Sequence, residues 1–270
     1  MLKLLLIPIG LYLTVVLLFA ALQARLLFPA GAVPTAGPLP RGAQRLAVTA
    51  PDGARLAGVH IPPLQAPPQR TLAVVFGGNG WNAQEAAELV HRIWPQVDVV
   101  AFHYRGYPPS SGSPSAKALL ADAPLALAAA RDAVRPVRTV AVGMSIGSGV
   151  AASLAGSGEV DGAVLVTPFD SLAAVAQQLY PWLPVKLLFR HEIAAAAALR
   201  RSPVPVALIA AERDRIIPAE RTAALRRSIP NLASDRTVPD AGHNDLYDRP
   251  HFAQAMDEAL AAVLAAAPGR

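Results

Sequence analysis

Cysteine is absent from the 270-residue sequence. No disulfide framework and no thiolate metal site are therefore available. Lysine is almost absent, at positions 3, 117 and 186 only, and the remaining basic residues are arginines. These are scattered, with local groups at Arg200 and Arg201, Arg213 and Arg215, and Arg221, Arg226 and Arg227. No basic stripe interleaves with aromatics, which argues against nucleic-acid binding. The net charge of +5 reads as solvated helix faces, with weak attraction to anionic lipid headgroups as the functional alternative. No Gly-Lys-Ser/Thr and no spaced G-x-G-x-x-G follows the one early glycine-rich loop, so a phosphate cradle there is disfavoured. No His/Asp/Glu group has metal-ligand spacing. Neither a metal nor any other cofactor is expected.

Charge is also scarce, at 16% of residues against 53% hydrophobic, and its gaps are uneven. Residues 4–22 carry no charge over 19 positions, which is long enough to cross a hydrocarbon core as a helix. A cleaved signal peptide would have a shorter apolar region and a small-x-small site after it. Here Leu22-Gln23-Ala24-Arg25 follows, so an uncleaved single span is the favoured reading. The positive counts on the two sides, Lys3 with the α-amino group against Arg25 and Arg41, are nearly equal and do not fix orientation. A span this close to the N-terminus favours an exported domain. The expected organisation is a membrane anchor over 1–28, a Pro/Gly linker over 29–44 and a catalytic domain over 45–270. Every residue read below as chemical lies past the linker, so segment 1–28 is expected to be separable from turnover of small soluble esters.

The domain alternates apolar runs with helical periods. Residues 45–49 and 55–61 flank Pro51-Asp52-Gly53, a hairpin signal. Buried strands are predicted at 71–76, 97–102, 139–142, 162–167 and 204–210, and helices at 83–94, 115–134, 147–154, 219–228 and 252–266. Pro124 is placed to kink the second helix. Continuous apolar strands alternating with helices imply a mostly parallel central sheet covered on both faces. In such sheets, sites lie at the strand C-terminal ends.

The pentapeptide Gly143-Met144-Ser145-Ile146-Gly147 sits at one such end, between an apolar strand and a small-residue helix. That is the context of a nucleophile elbow. A serine hydroxyl needs a base to take its proton, and the base needs an orienting carboxylate. Downstream, 206–210 runs into a loop carrying Glu212 and Asp214; Asp214 is the first choice and Glu212 the second. His243 follows Gly242 in a loop after a short strand-like run, flanked by the rival acids Asp240 and Asp245. His60, His91, His191 and His251 read as surface or packing residues. Two backbone donors are expected for the oxyanion: the N–H of Ile146, after the nucleophile, and the N–H of Asn79 in Gly77-Gly78-Asn79-Gly80. Residues 170–201, rich in Leu, Tyr, Trp and Phe, are expected to form a cap with an apolar pocket.

These residues together resemble the α/β-hydrolase fold superfamily, closest to the BEM46-like and ABHD13/ABHD17-like serine hydrolases with an N-terminal membrane anchor. The matching stretches are Phe76-Gly-Gly-Asn-Gly-Trp-Asn82, Tyr104-Arg-Gly-Tyr107 with Ser111-Gly-Ser-Pro-Ser115, the elbow, Thr167-Pro-Phe-Asp-Ser171, Asp214-Arg-Ile-Ile-Pro218 and Gly242-His-Asn-Asp245. The chain departs from the pattern at Gly77, where a His is usual, at His103, where an Asp often precedes Tyr-Arg-Gly, and at Pro108 and Pro109. The resemblance implies an α/β-hydrolase fold with a small cap, and Ser145, Asp214 and His243 as nucleophile, acid and base. It implies cleavage of a small-molecule or lipid carboxylic ester or thioester through an acyl-enzyme. The alternative is a non-catalytic protein of this fold that binds an acyl ligand or a partner. Arg105 is read as structural, tying loops together near the site.

Overall fold

A computed structural model of the chain describes residues 2–65 and 67–268. The α-amino group of Met1 and the Lys3 side chain, which bear on membrane orientation, lie outside the described residues. Eight strands form one sheet in the order β1-β2-β4-β3-β5-β6-β7-β8. The Gln44–Thr49 (β1) and Arg55–Ile61 (β2) strands form the antiparallel hairpin, and β2 pairs antiparallel with Asp98–Phe102 (β4). From there Thr71–Phe76 (β3), Arg138–Met144 (β5), Gly162–Val166 (β6), Val206–Ala211 (β7) and Leu232–Val238 (β8) are parallel neighbours.

Side chains alternate across each strand, and the two faces of β3 show what that builds. Leu72, Val74 and Phe76 join one core with the helices Ala116–Val134 (α3) and Ile146–Gly156 (α4). Ala73 and Val75 join the other with Ala83–Ile93 (α2) and Pro250–Ala266 (α9). The chain leaves β3 first for β4 on one side and then for β5 on the other, so order reverses at β3. The loops after β3 and β5 therefore open a crevice at the strand C-terminal ends, where ligands bind in such sheets.

Local chemistry sets the element ends. Ser115 caps α3 by accepting from the Ala118 N–H, and Asn82 caps α2 by accepting from Gln84, each satisfying an orphan helix donor. α3 runs through Pro124 without ending. The remaining helix over the sheet, Ala219–Arg226 (α8), precedes β8. The sequence treats residues 170–201 as lying between the last two core strands; they lie between β6 and β7, and β8 is one strand more. It is the short strand-like run expected ahead of His243, whose bounds were not legible because Leu-Ala-Ser-Asp-Arg-Thr-Val is an edge strand with partly exposed polar positions, not an apolar run. The insertion is a cap of three short helices, Leu172–Leu179 (α5), Val185–Leu188 (α6) and Ala195–Leu199 (α7).

The first helix, Leu2–Leu27 (α1), contains a stretch, Leu6–Leu27, long and apolar enough to cross a membrane. A signal sequence meets the same criterion. The stretch read as a linker is strapped onto the domain. Phe28 and Val33 are buried. Asn82 donates to the Pro34 carbonyl and Gln84 to the Pro38 carbonyl, so the prolines here fix a path instead of providing slack.

Candidate active site

Ser145 lies between β5 and α4 with φ 52° and ψ −120°, a conformation that costs a non-glycine residue on the order of 1–3 kcal/mol. The neighbouring glycines make it sterically accessible. A Cβ on Gly143 would lie 2.3 Å from the Gly147 carbonyl oxygen, and one on Gly147 would lie 2.0 Å from that of Phe76. Neither position admits a side chain. Ser148, one turn on, is fully buried and donates its hydroxyl back to the Ser145 carbonyl at 2.6 Å, so it faces away from the crevice.

Asp214 stands on the loop after β7 and His243 on the loop after β8. His243 Nε2 is 2.9 Å from Ser145 Oγ, and Nδ1 is 2.7 Å from Asp214 Oδ2. An ionised carboxylate only accepts, so Nδ1 carries the proton and Nε2 is free to accept from the serine hydroxyl. The other carboxylate oxygen, Oδ1, accepts from the Ile216 and Ile217 N–H groups at 2.8 Å each. That fixes the carboxylate plane before it meets the imidazole. Both side chains are nearly buried, 6% exposed for Asp214 and 8% for His243.

The rival acids are engaged elsewhere. Glu212 accepts from the Asp240 N–H at 2.8 Å, Asp240 pairs with Arg213, and Asp245 accepts from the Gly242 N–H and pairs with Arg249. In the His243 loop the positive φ falls on Asp240, at 56°, and not on Gly242. A Cβ on Gly242 would lie 3.1 Å from Asp245 Oδ1, the atom that accepts from the Gly242 N–H.

Ile146 opens α4, so its N–H has no acceptor within the helix. Across the crevice, Gly78 runs beside the nucleophile; a Cβ there would lie 3.6 Å from the Ser145 Cβ. Sequence reasoning missed what holds this loop. The Tyr104 hydroxyl donates to the Gly77 carbonyl at 2.7 Å and the Tyr107 hydroxyl to the Asn79 carbonyl at 2.8 Å. Burial pushes both phenols above their ordinary range, with Tyr107 adding to the effect on Tyr104, so both remain neutral donors. The Gly78 carbonyl between them accepts from the Trp81 N–H at 3.2 Å, and the Asn79 carboxamide donates to the Leu27 carbonyl at 3.0 Å. Arg105 does tie elements together, but these are the β1–β2 turn at Asp52 and α3 at Asp122. His103, just after β4, is buried. Desolvation first, and the Arg45 charge second, push its imidazole down to about 4. His60, on β2, is buried against Asp98 at 2.7 Å, at the far end of the sheet from Ser145.

A cavity of about 730 Å³ opens at Ser145 and His243, within the usual range for small-molecule sites. Its walls are mainly apolar, from Phe169 and the cap helices on one side and from α1 on the other. Among the described residues no group of three or more His, Asp or Glu side chains is placed to hold a metal ion.

A mostly parallel sheet with helices on both faces, a strained serine at the turn after β5 and its imidazole and carboxylate partners on loops after later strands define the class: this is a protein of the α/β-hydrolase fold. The esterase Pf2001 of Pyrococcus furiosus superposes with a TM-score of 0.67 over 86% of this chain and 97% of its own, at 18% identity. An α/β hydrolase of Vibrio vulnificus gives 0.64 over 84% and 81%, at 20% identity. The chain is 34% identical over 228 residues to the uncharacterized protein Rv2307c of Mycobacterium tuberculosis, covering 83% of this chain and 81% of that one. It is 30% identical over 230 residues to the uncharacterized protein YfhR of Escherichia coli, covering 80% and 78%. The chain belongs to the family that includes Rv2307c and YfhR. No protein-family model matches it.

Proposed function

We propose that this protein is a membrane-anchored serine hydrolase that cleaves a carboxylic ester or thioester through an acyl-enzyme. The observation that carries the reading is the hydrogen-bonded series Ser145–His243–Asp214, at 2.9 and 2.7 Å, at the floor of an apolar cavity. As Ser145 Oγ attacks the acyl carbon, His243 Nε2 takes its proton. Asp214, anchored by two backbone N–H groups, keeps the imidazole in the right tautomer and stabilises the imidazolium. The carbonyl oxygen gains charge and receives the N–H groups of Ile146 and Asn79, an interaction stronger in the transition state than in the ground state. Collapse expels the alcohol or thiol, protonated by His243. Water, deprotonated by the same imidazole, then releases the carboxylic acid and regenerates the serine.

The resemblance to BEM46-like hydrolases and the apolar Leu6–Leu27 stretch support anchoring by a single uncleaved span. Hydrolysis of 4-nitrophenyl acyl esters by the full-length chain, insensitive to EDTA and absent in Ser145→Ala, is the expected result. Ester binding without turnover in the wild type would favour the non-catalytic acyl-binding alternative, and turnover restored only by a divalent metal would point to a metal-activated water.

A further inference from the structure

α1 forms part of the cavity that ends at Ser145. Val16, Phe19, Ala20, Gln23 and Leu27 line it, and their spacing of three, one, three and four residues is that of one helix face. The opposite face, with Leu18 and Leu22, is exposed. Since both faces are apolar, polarity does not select the inner one. Specific contacts do. The Tyr12 hydroxyl donates to the Trp182 carbonyl at 2.9 Å, and the Phe19 ring packs on Tyr180 and Trp182 with centroids 5.7 Å away in each case.

Gln23 is the most telling of these residues. A carboxamide facing hydrocarbon without partners is costly, yet here both ends are satisfied by the cap. Its Nε2 donates to the Leu188 carbonyl at 3.1 Å, and its Oε1 accepts from the Arg190 N–H at 2.8 Å. At the helix end, Asn79 of the oxyanion loop donates to the Leu27 carbonyl at 3.0 Å, and the buried Phe28 packs on His191 at 5.4 Å.

Length then fixes where the membrane must be. The docked stretch, residues 12–27, covers about 24 Å at 1.5 Å per residue. Residues 2–11 supply about 15 Å, roughly half of a 30 Å hydrocarbon core. A helix docked in this way reaches across a bilayer only if about 15 Å of the docked stretch, with the cap edge beside it, also enters the membrane. The cap presents the side chains this requires: Leu179, Tyr180, Trp182 and Leu187 are exposed, Leu187 at 82%. Tyr and Trp favour that interface.

We infer that α1 and the cap together form an acyl-chain site that is filled from within the bilayer, and that the substrate is an acyl ester of a membrane lipid. The inference rests on the hydrolase reading for turnover, but not for binding, and its test separates the two. The full-length chain is reconstituted in vesicles of phosphatidylethanolamine and phosphatidylglycerol and photolysed with a diazirine-bearing palmitic acid. Cleavage at Lys3 and Arg25 releases peptide 4–25 for mapping. Adducts are expected at Val16, Phe19, Ala20 or Gln23 and should be displaced by unlabelled palmitic acid. Adducts confined to Leu18 or Leu22, or insensitive to competition, would reflect ordinary lipid contact and overturn the proposal. Ala20→Trp fills the site, so the ratio of kcat/KM for dodecanoyl over acetyl esters should fall by at least about tenfold. Leu18→Trp, on the outer face, should hold that ratio within about twofold; an unchanged ratio in Ala20→Trp would contradict the assignment. If no ester is turned over while the inner-face adducts persist, the hydrolase reading fails and the acyl site stands.

Discussion

Asp214 holds the imidazole of His243 through one oxygen while the other is fixed by two backbone N–H groups. Asparagine at this position keeps the volume and one acceptor but removes the charge and allows the wrong imidazole tautomer. Asp214→Asn should therefore stay folded and lose about 10⁴ in kcat, following the serine-protease precedent. Asp240→Asn and Asp245→Asn should remain near wild type. Steady-state kinetics on the three variants decide it, and a dead Asp240 or Asp245 variant beside an active Asp214 variant would displace the acid. His103 supports a second prediction at this scale. Its imidazole titrates at about 4 in the folded protein, against about 6.5 in an unfolded chain. Between these values the unfolded state binds more protons, so stability is present above about 6.5 and is lost as pH falls toward 4. The contribution is on the order of 3 kcal/mol. His103→Asn should flatten the fall of Tm across that window. An equally steep fall in the variant would assign it to other groups, such as His91 and His191, which burial also shifts downward. Ser145, Asp214 and His243 were legible in the sequence because spacing, flanking glycines and chain order all act locally. Tyr104 and Tyr107 were not, because their partners are backbone carbonyls 27 and 28 residues away.

At the scale of elements, the sequence is readable wherever burial writes a period. The strands at 71–76 and 98–102 and the capped helix α3 lie where apolar runs and Ser115 place them. β8 was legible only as a short strand-like run without bounds, because its edge residues are polar. The larger departure concerns residues 1–44. An apolar run followed by prolines and glycines reads as an anchor and a tether, since hydropathy records only that a side chain leaves water and not which surface it meets. The contacts that seat α1 involve the backbone carbonyls of Trp182, Leu188 and Leu27, which carry no residue code. Segment 1–28 is more than a tether, because α1 residues line the cavity. It supplies one wall of the cavity, and the separability expected from the position of the chemical residues does not extend to acyl-chain binding.

For the whole molecule, the sheet order places the loops after β3 and β5 on either side of one crevice. The loops after β7 and β8 bring in the acid and the imidazole, and the cap and α1 close the apolar side. On the proposed reading, Ser145 carries the reacting oxygen. Mapping the adduct of a fluorophosphonate on the full-length chain tests this most directly, since the reagent requires an activated serine and no knowledge of the substrate. One adduct per chain, on Ser145, lost in Ser145→Ala and strongly slowed in His243→Ala, is the result the account predicts. An adduct on another serine, or labelling that persists in Ser145→Ala, would contradict it.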